Sequence, residues 1–159
     1  MSGPLDGVRV LDLSRVLAGP YCTALLADLG AEIIKLEPPQ GDDYRHIGPF
    51  KDGESALFTL NNRGKQSLVL DLKDADDLAL ARELADWGDI VIENMRPGVM
   101  DRLGLGYEAL RVERPGLIML STCNMGQTGP RADTPGFGSQ LTALAGMCGL
   151  TGDPAGPPD

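Results

Sequence analysis

Five short runs rich in β-branched and aliphatic residues recur along the chain: VRVLDLS (8–14), EIIKLE (32–37), SLVLDL (67–72), DIVIEN (89–94) and LIMLST (117–122). Their apolar character is nearly continuous, as in strands buried on both faces. Between them lie stretches with helical spacing. This order predicts the α/β class: an open, doubly wound parallel sheet with helices on both faces. A chain of 159 residues suffices for one such domain and is tight for two.

The helical segments have their own signatures. Tyr21 to Leu29 places Leu25, Leu26 and Leu29 on one face, expected to be the buried one. In DADDLALARELADW, Asp74 to Asp77 complement the positive end of the helix dipole, and Leu78, Ala81, Leu84 and Ala85 form the expected buried stripe. Residues 38–66 read as one long polar loop of the kind that covers a site or lacks order, and 96–116 as short helices punctuated by Pro97, Gly98, Gly104 and Gly106. The expected domain is 1–150, with TGDPAGPPD (151–159) as the start of a linker.

A formal net charge of −9 argues against a nucleic-acid partner. Cys22, Cys123 and Cys148 have neither a CxxC spacing nor an even count, so neither a disulfide framework nor a metal site is expected. No leader pattern is visible, and no apolar run approaches the roughly 20 residues that span a bilayer. The expectations are a cytoplasmic protein with no membrane partner.

In a doubly wound sheet, ligands bind beyond the carboxyl ends of the strands. The residues there are Ser14 to Pro20, Glu37 to Asp43, Lys73, Asn94 to Gly98 and Thr122 to Pro130, a set rich in Gly, Arg, Lys and Asn. Backbone amides and cations in such numbers suit a phosphorylated ligand. Glu37 stands where a ribose-binding acid would be, but LSRVLAGPYC is not a GxGxxG loop, so NAD is not expected. NNRGKQS lacks the glycine spacing of a Walker loop. The single histidine, His46, has no GxSxG elbow to serve, and Cys123 has no adjacent base. His46 is expected to be a solvated surface residue and Cys123 a core-packing one.

Read in order, GPLDGVRVLDLSRVLAGPYCTALLADLGAEIIKLEPPQGDDYR, NNRGKQSLVLDLK, ENMRPGVMDRLGLGY, GQTGP and the PGF turn at 135–137 resemble the family III CoA-transferases. That group includes carnitine CoA-transferase, formyl-CoA transferase and the α-methylacyl-CoA racemases. The resemblance implies a Rossmann-like domain that binds coenzyme A or an acyl-CoA as substrate, without a metal. By position it assigns the pantetheine and thioester end to Val16, Leu17 and Ala18. The adenosine and phosphates fall to Leu70, Lys73, Asn94, Met95, Arg96, Arg102 and Leu103.

The activity implied is transfer of CoA from an acyl-CoA donor to a carboxylic acid acceptor. An aspartate attacks the thioester to give a mixed anhydride, and the released CoA thiolate then attacks the enzyme acyl group to give an aspartyl-CoA thioester. The resemblance is read as placing that aspartate directly after the PGF turn, where this chain has Gly138. Asp133 lies upstream, on the wrong side of the turn. The racemase reading meets a similar obstacle, since its histidine and aspartate are replaced by Phe137 and Gly138. Relatives of this kind are more than twice as long, which leaves open a non-catalytic CoA-binding subunit or a partial chain completed in a homo- or hetero-dimer.

Overall fold

The computed structural model describes residues 3–153 and 156. Five strands, β1 (Arg9–Asp12), β2 (Glu32–Glu37), β5 (Gln66–Val69), β6 (Ile90–Glu93) and β7 (Ile118–Ser121), form one sheet in the order β5-β2-β1-β6-β7. Every pairing in it is parallel. Taken by their own sequence order the strands run 3-2-1-4-5, the doubly wound arrangement, whose switch point lies between β1 and β6. Strand β2 spans its whole apolar run, and the other four are shorter than theirs because the flanking residues turn into the loops at the sheet edges.

The helices divide between the faces as strand alternation requires. Leu11 and Val91 point into the larger core, with Ala81 and Ala85 of α3 (Ala75–Trp87) and Leu110 of α5 (Tyr107–Glu113). Their strand neighbours Val10 and Ile92 point the other way, toward Cys22 and Leu26 of α1 (Ala18–Asp28). The α3 expectation holds in detail: Asp74 caps the helix by accepting from the Asp76 and Asp77 amides, and Leu78 and Leu84 flank buried Ala81 and Ala85.

Two expectations are corrected. In α1 the buried residues are Gly19, Pro20, Thr23 and Ala24, while Leu25 and Leu29 stay 42% and 45% exposed. The reason is close approach. A Cβ on Gly19 would lie 2.2 Å from the Ser14 Cβ, so the first turn of α1 packs on the loop after β1 only because residue 19 is glycine. Small residues therefore face the sheet together with Leu26, and Leu25 and Leu29 are turned outward.

The second correction concerns 38–66, which is not one loop. It holds a 3-10 turn (Asp43–His46), a hairpin of β3 (Phe50–Lys51) and β4 (Glu54–Ser55), and α2 (Ala56–Asn62). Ser55 caps α2 by accepting from the Phe58 amide, and buried Asn61 and Asn62 donate to their own helix carbonyls at Leu57 and Phe58. Polar residues that read as loop are thus internally satisfied helix. Two more helices, α4 (Val99–Arg102) and α6 (Gly138–Leu144), follow β6 and β7. The linker expectation rests largely on residues 154, 155 and 157–159, outside the described residues.

Candidate CoA site at the carboxyl edge of the sheet

Strand β1 ends in Asp12, fully buried, and Asp12 lies in register with Lys35 of β2. A carboxylate and an ammonium inside apolar strands must each find partners. Asp12 accepts from the Ser14 amide at 2.9 Å, the Ser14 hydroxyl, the Thr23 hydroxyl at 2.6 Å and Lys65 Nζ at 3.0 Å. Lys65 spends its other two donors on the Pro20 carbonyl at 2.9 Å and Asn62 Oδ1 at 2.8 Å. Burial is the chief cause that lowers the Lys65 ammonium to about 8, with Asp12 acting against it.

Lys35 does not pair with Asp12. Its Nζ reaches Asp42 at 3.0 Å and the Ser14 carbonyl at 2.8 Å. Both partners of this second pair are essentially inaccessible, at 1% and 0% side-chain exposure. Two residues further along the same strand, buried Glu37 receives Arg45 in a fork of two 2.6 Å bonds, with the Ser67 hydroxyl at 2.6 Å and the Asp42 amide at 3.0 Å. The Arg45 guanidinium also lies 3.7 Å from the Phe58 ring centroid. Three acids and three bases thus tie the 38–66 segment to the sheet. Glu37, the residue that stands at the ribose position of a dinucleotide site, has both oxygens committed.

Burial alone raises the Glu37 carboxyl, but Arg45, Ser67 and the Asp42 amide outweigh it and hold the group at about 2, against an ordinary 4.5. A depressed folded-state value contributes stability that is complete above 4.5 and is lost as pH falls toward 2. Comparing urea midpoints of the wild type and Glu37→Gln at pH 7 and pH 3 checks this. About 2 kcal/mol of the difference at pH 7 should be gone at pH 3; an equal difference at both would contradict the assignment.

Above this network runs the loop Ser14 to Leu17, at the switch point. Asn94, just past β6, bridges it by accepting from the Arg15 amide at 2.9 Å and donating to the Arg15 carbonyl at 2.7 Å. The Val16 amide faces both Asp42 oxygens at 3.4 Å. Val16 itself has φ +70°, a left-handed conformation that β-branched residues rarely adopt. Leu17 and Ala18 follow, both exposed.

The structure thus brings Val16, Leu17, Ala18, Asn94, Met95 and Arg96 together at adjacent strand ends. Asn94 commits its side-chain amide to the Arg15 backbone, and the Met95 amide donates to Glu93 Oε2 at 2.6 Å. Arg102 and Leu103 follow on and after α4. Its start at Gly98, φ +74°, leaves the space a Cβ would need beside the Arg102 guanidinium, 3.2 Å away. Leu70 and Lys73 are placed apart, beyond β5, three strand spacings or about 14 Å from β6. Leu70 is 5% exposed and packs in the larger core. Leu103 packs against the same core.

Lys73, Arg96 and Arg102 are exposed, and among the described residues none of them has an ion-pair partner. Glu93, a natural mate for Arg96, is buried and turned to the Met95 amide. Asp101 sits against Gly106.

The PGF turn lies at the same edge, beyond β7. The Phe137 amide donates to the Gln140 side chain at the start of α6, and Gly136 approaches Asn124. Asn124, Met125, Pro135, Gln140 and Leu144 are among the residues around a cavity of about 390 Å³. Gly138 is exposed with open space around it, and Asp133 is exposed. His46 is exposed, its Nε2 3.1 Å from the Gln40 carbonyl. The three cysteines are free and half-buried, and no metal-binding cluster forms among the described residues. No helix among them is long and apolar enough to cross a membrane.

Comparison with known proteins agrees with this fold. The chain is 49% identical over 157 residues to acetyl-CoA:oxalate CoA-transferase of Acetobacter aceti, covering 98% of this chain and 40% of that protein. It is 43% identical to human succinyl-CoA:glutarate CoA-transferase, covering 98% and 36%. A CaiB/BaiF family protein of Brucella suis, 40% identical, superimposes with a TM-score of 0.92 over 100% of this chain and 43% of its own. The chain therefore spans less than half the length of these relatives. With residues 5–159 matching the description of the family itself, the chain belongs to CoA-transferase family III.

Proposed function

We propose that this chain binds acyl-CoA along the carboxyl edge of its sheet and takes part in moving CoA from an acyl-CoA donor to a carboxylic acid acceptor. The observation that carries the reading is the trio Lys73, Arg96 and Arg102: exposed cations without ion-pair partners among the described residues, Lys73 just past β5, Arg96 just past β6 and Arg102 on α4. A 3′-phosphate and a pyrophosphate supply the missing anions, and arginine forks suit phosphate oxygens. The thioester end then falls at Val16 to Ala18. The acceptor is a small carboxylate, a class to which the oxalate and glutarate in the relatives' names belong.

Gly138 brings no carboxylate to the turn. In this reading the covalent step uses a carboxylate from elsewhere, in the same polypeptide or a paired one, and the chain's own contribution is to bind and orient the CoA. Calorimetric titration with CoA and with 3′-dephospho-CoA tests the binding part. CoA is expected to bind at least tenfold more tightly; equal affinities, or none, would remove the assignment.

A further inference from the structure

Three consecutive residues at the switch point are held through their backbone, each by a side chain from a neighbouring element. The Ser14 carbonyl accepts from Lys35 of β2, the Arg15 amide and carbonyl are bridged by Asn94, and the Val16 amide faces Asp42. Lys35 and Asp42 form one unit, a buried pair 3.0 Å apart with the loop resting on it.

Such a pair gains little from burial as such, because desolvation offsets its attraction and apolar residues of similar size serve a core as well. What apolar residues cannot do is accept from the Val16 amide or donate to the Ser14 carbonyl. Val16 meanwhile has φ +70°, where its branched Cβ is sterically disfavoured, so the conformation persists only if its surroundings impose it.

We propose that Lys35 and Asp42 are positioning residues for acyl-CoA: the pair clamps Ser14 and Val16 and thereby sets the left-handed turn that presents Leu17 and Ala18 to the thioester end of the ligand. Neither residue touches the ligand. The inference rests on the functional reading above for what the loop meets, but the clamp can be read without a ligand.

The test replaces the pair by apolar residues, Lys35→Met with Asp42→Leu, and follows two quantities in the protein: hydrogen exchange at the Val16 amide and the Kd for free CoA. The expected result is a folded variant with a melting temperature within a few degrees of the wild type, Val16 exchange at least tenfold faster, and CoA binding at least tenfold weaker. A folded variant with both quantities within twofold of the wild type overturns the proposal, since a purely structural pair would be replaceable. Where the double variant does not fold, Asp42→Asn is measured with and without Val16→Gly. Glycine adopts positive φ freely, so adding it should recover at least threefold of the lost affinity; no recovery overturns the clamp. If the wild type binds no CoA and the apolar pair still frees the Val16 amide, the functional reading fails while the clamp stands.

Discussion

Lys65→Met should destabilise the protein by about 3–5 kcal/mol, the cost of leaving a buried charge without its counter-ion. Asp12 would keep the Ser14 and Thr23 hydroxyls and the Ser14 amide, but its carboxylate is fully buried and, among the described residues, Lys65 is its only cationic partner. Against a usual domain stability of roughly 5–15 kcal/mol, that is a large fraction. The lost ammonium also removes a donor from the Pro20 carbonyl, which keeps the Thr23 hydroxyl, and from Asn62 Oδ1, loosening α2 from the start of α1. Urea denaturation gives the number. Adding Asp12→Asn to Lys65→Met should restore more than half of the loss, because the amide removes the charge and still accepts a hydroxyl. A single variant within about 1 kcal/mol of the wild type would mean that hydroxyls alone satisfy the carboxylate.

The second large effect is on binding. Replacing Lys73, Arg96 and Arg102 together by alanine should weaken CoA binding by about a thousandfold, on the basis of roughly 1.5 kcal/mol for each charge-assisted contact. Stability should hardly change, since all three side chains are exposed and none is in an ion pair among the described residues. Titrations at two salt concentrations add a second readout: exposed charges are screened, so the salt dependence of the wild type should shrink in the triple variant. An unchanged Kd would show that the cations are solvated surface residues. A fall confined to Lys73→Ala would place the phosphates beyond β5 and not along the β6 edge.

The two predictions separate what was legible in the sequence from what was not. Lys73 and Arg96 were legible because they follow apolar runs, and the strand ends of a doubly wound sheet are where ligands sit; Arg102 came only from the family resemblance. The network beneath them was only hinted at. Asp12 and Lys35 stand out as charges inside apolar strands, which says that partners exist without saying which. Their register suggests that they pair with each other, yet Asp12 takes Lys65 and Lys35 takes Asp42. Those partners lie 53 and 7 residues away in a segment that reads as polar loop. The exposure of Leu25 and Leu29 has a similar origin. Helical spacing identifies an apolar face, but a single glycine against Ser14 decides how closely the helix approaches and which face it buries.

Sequence alone determined the class of fold, the five strands in order, the α3 helix with its cap, and the family to which the ordered motifs belong. These follow from local periodicity and from residues that act near their own position in the chain. Tertiary structure decided the ion-pair partners, the buried face of α1, the helix and hairpin within 38–66, and the clamped left-handed turn at Val16. Each of these depends on groups far apart in sequence meeting in a low-dielectric interior, where an unpaired charge or amide is too costly to leave.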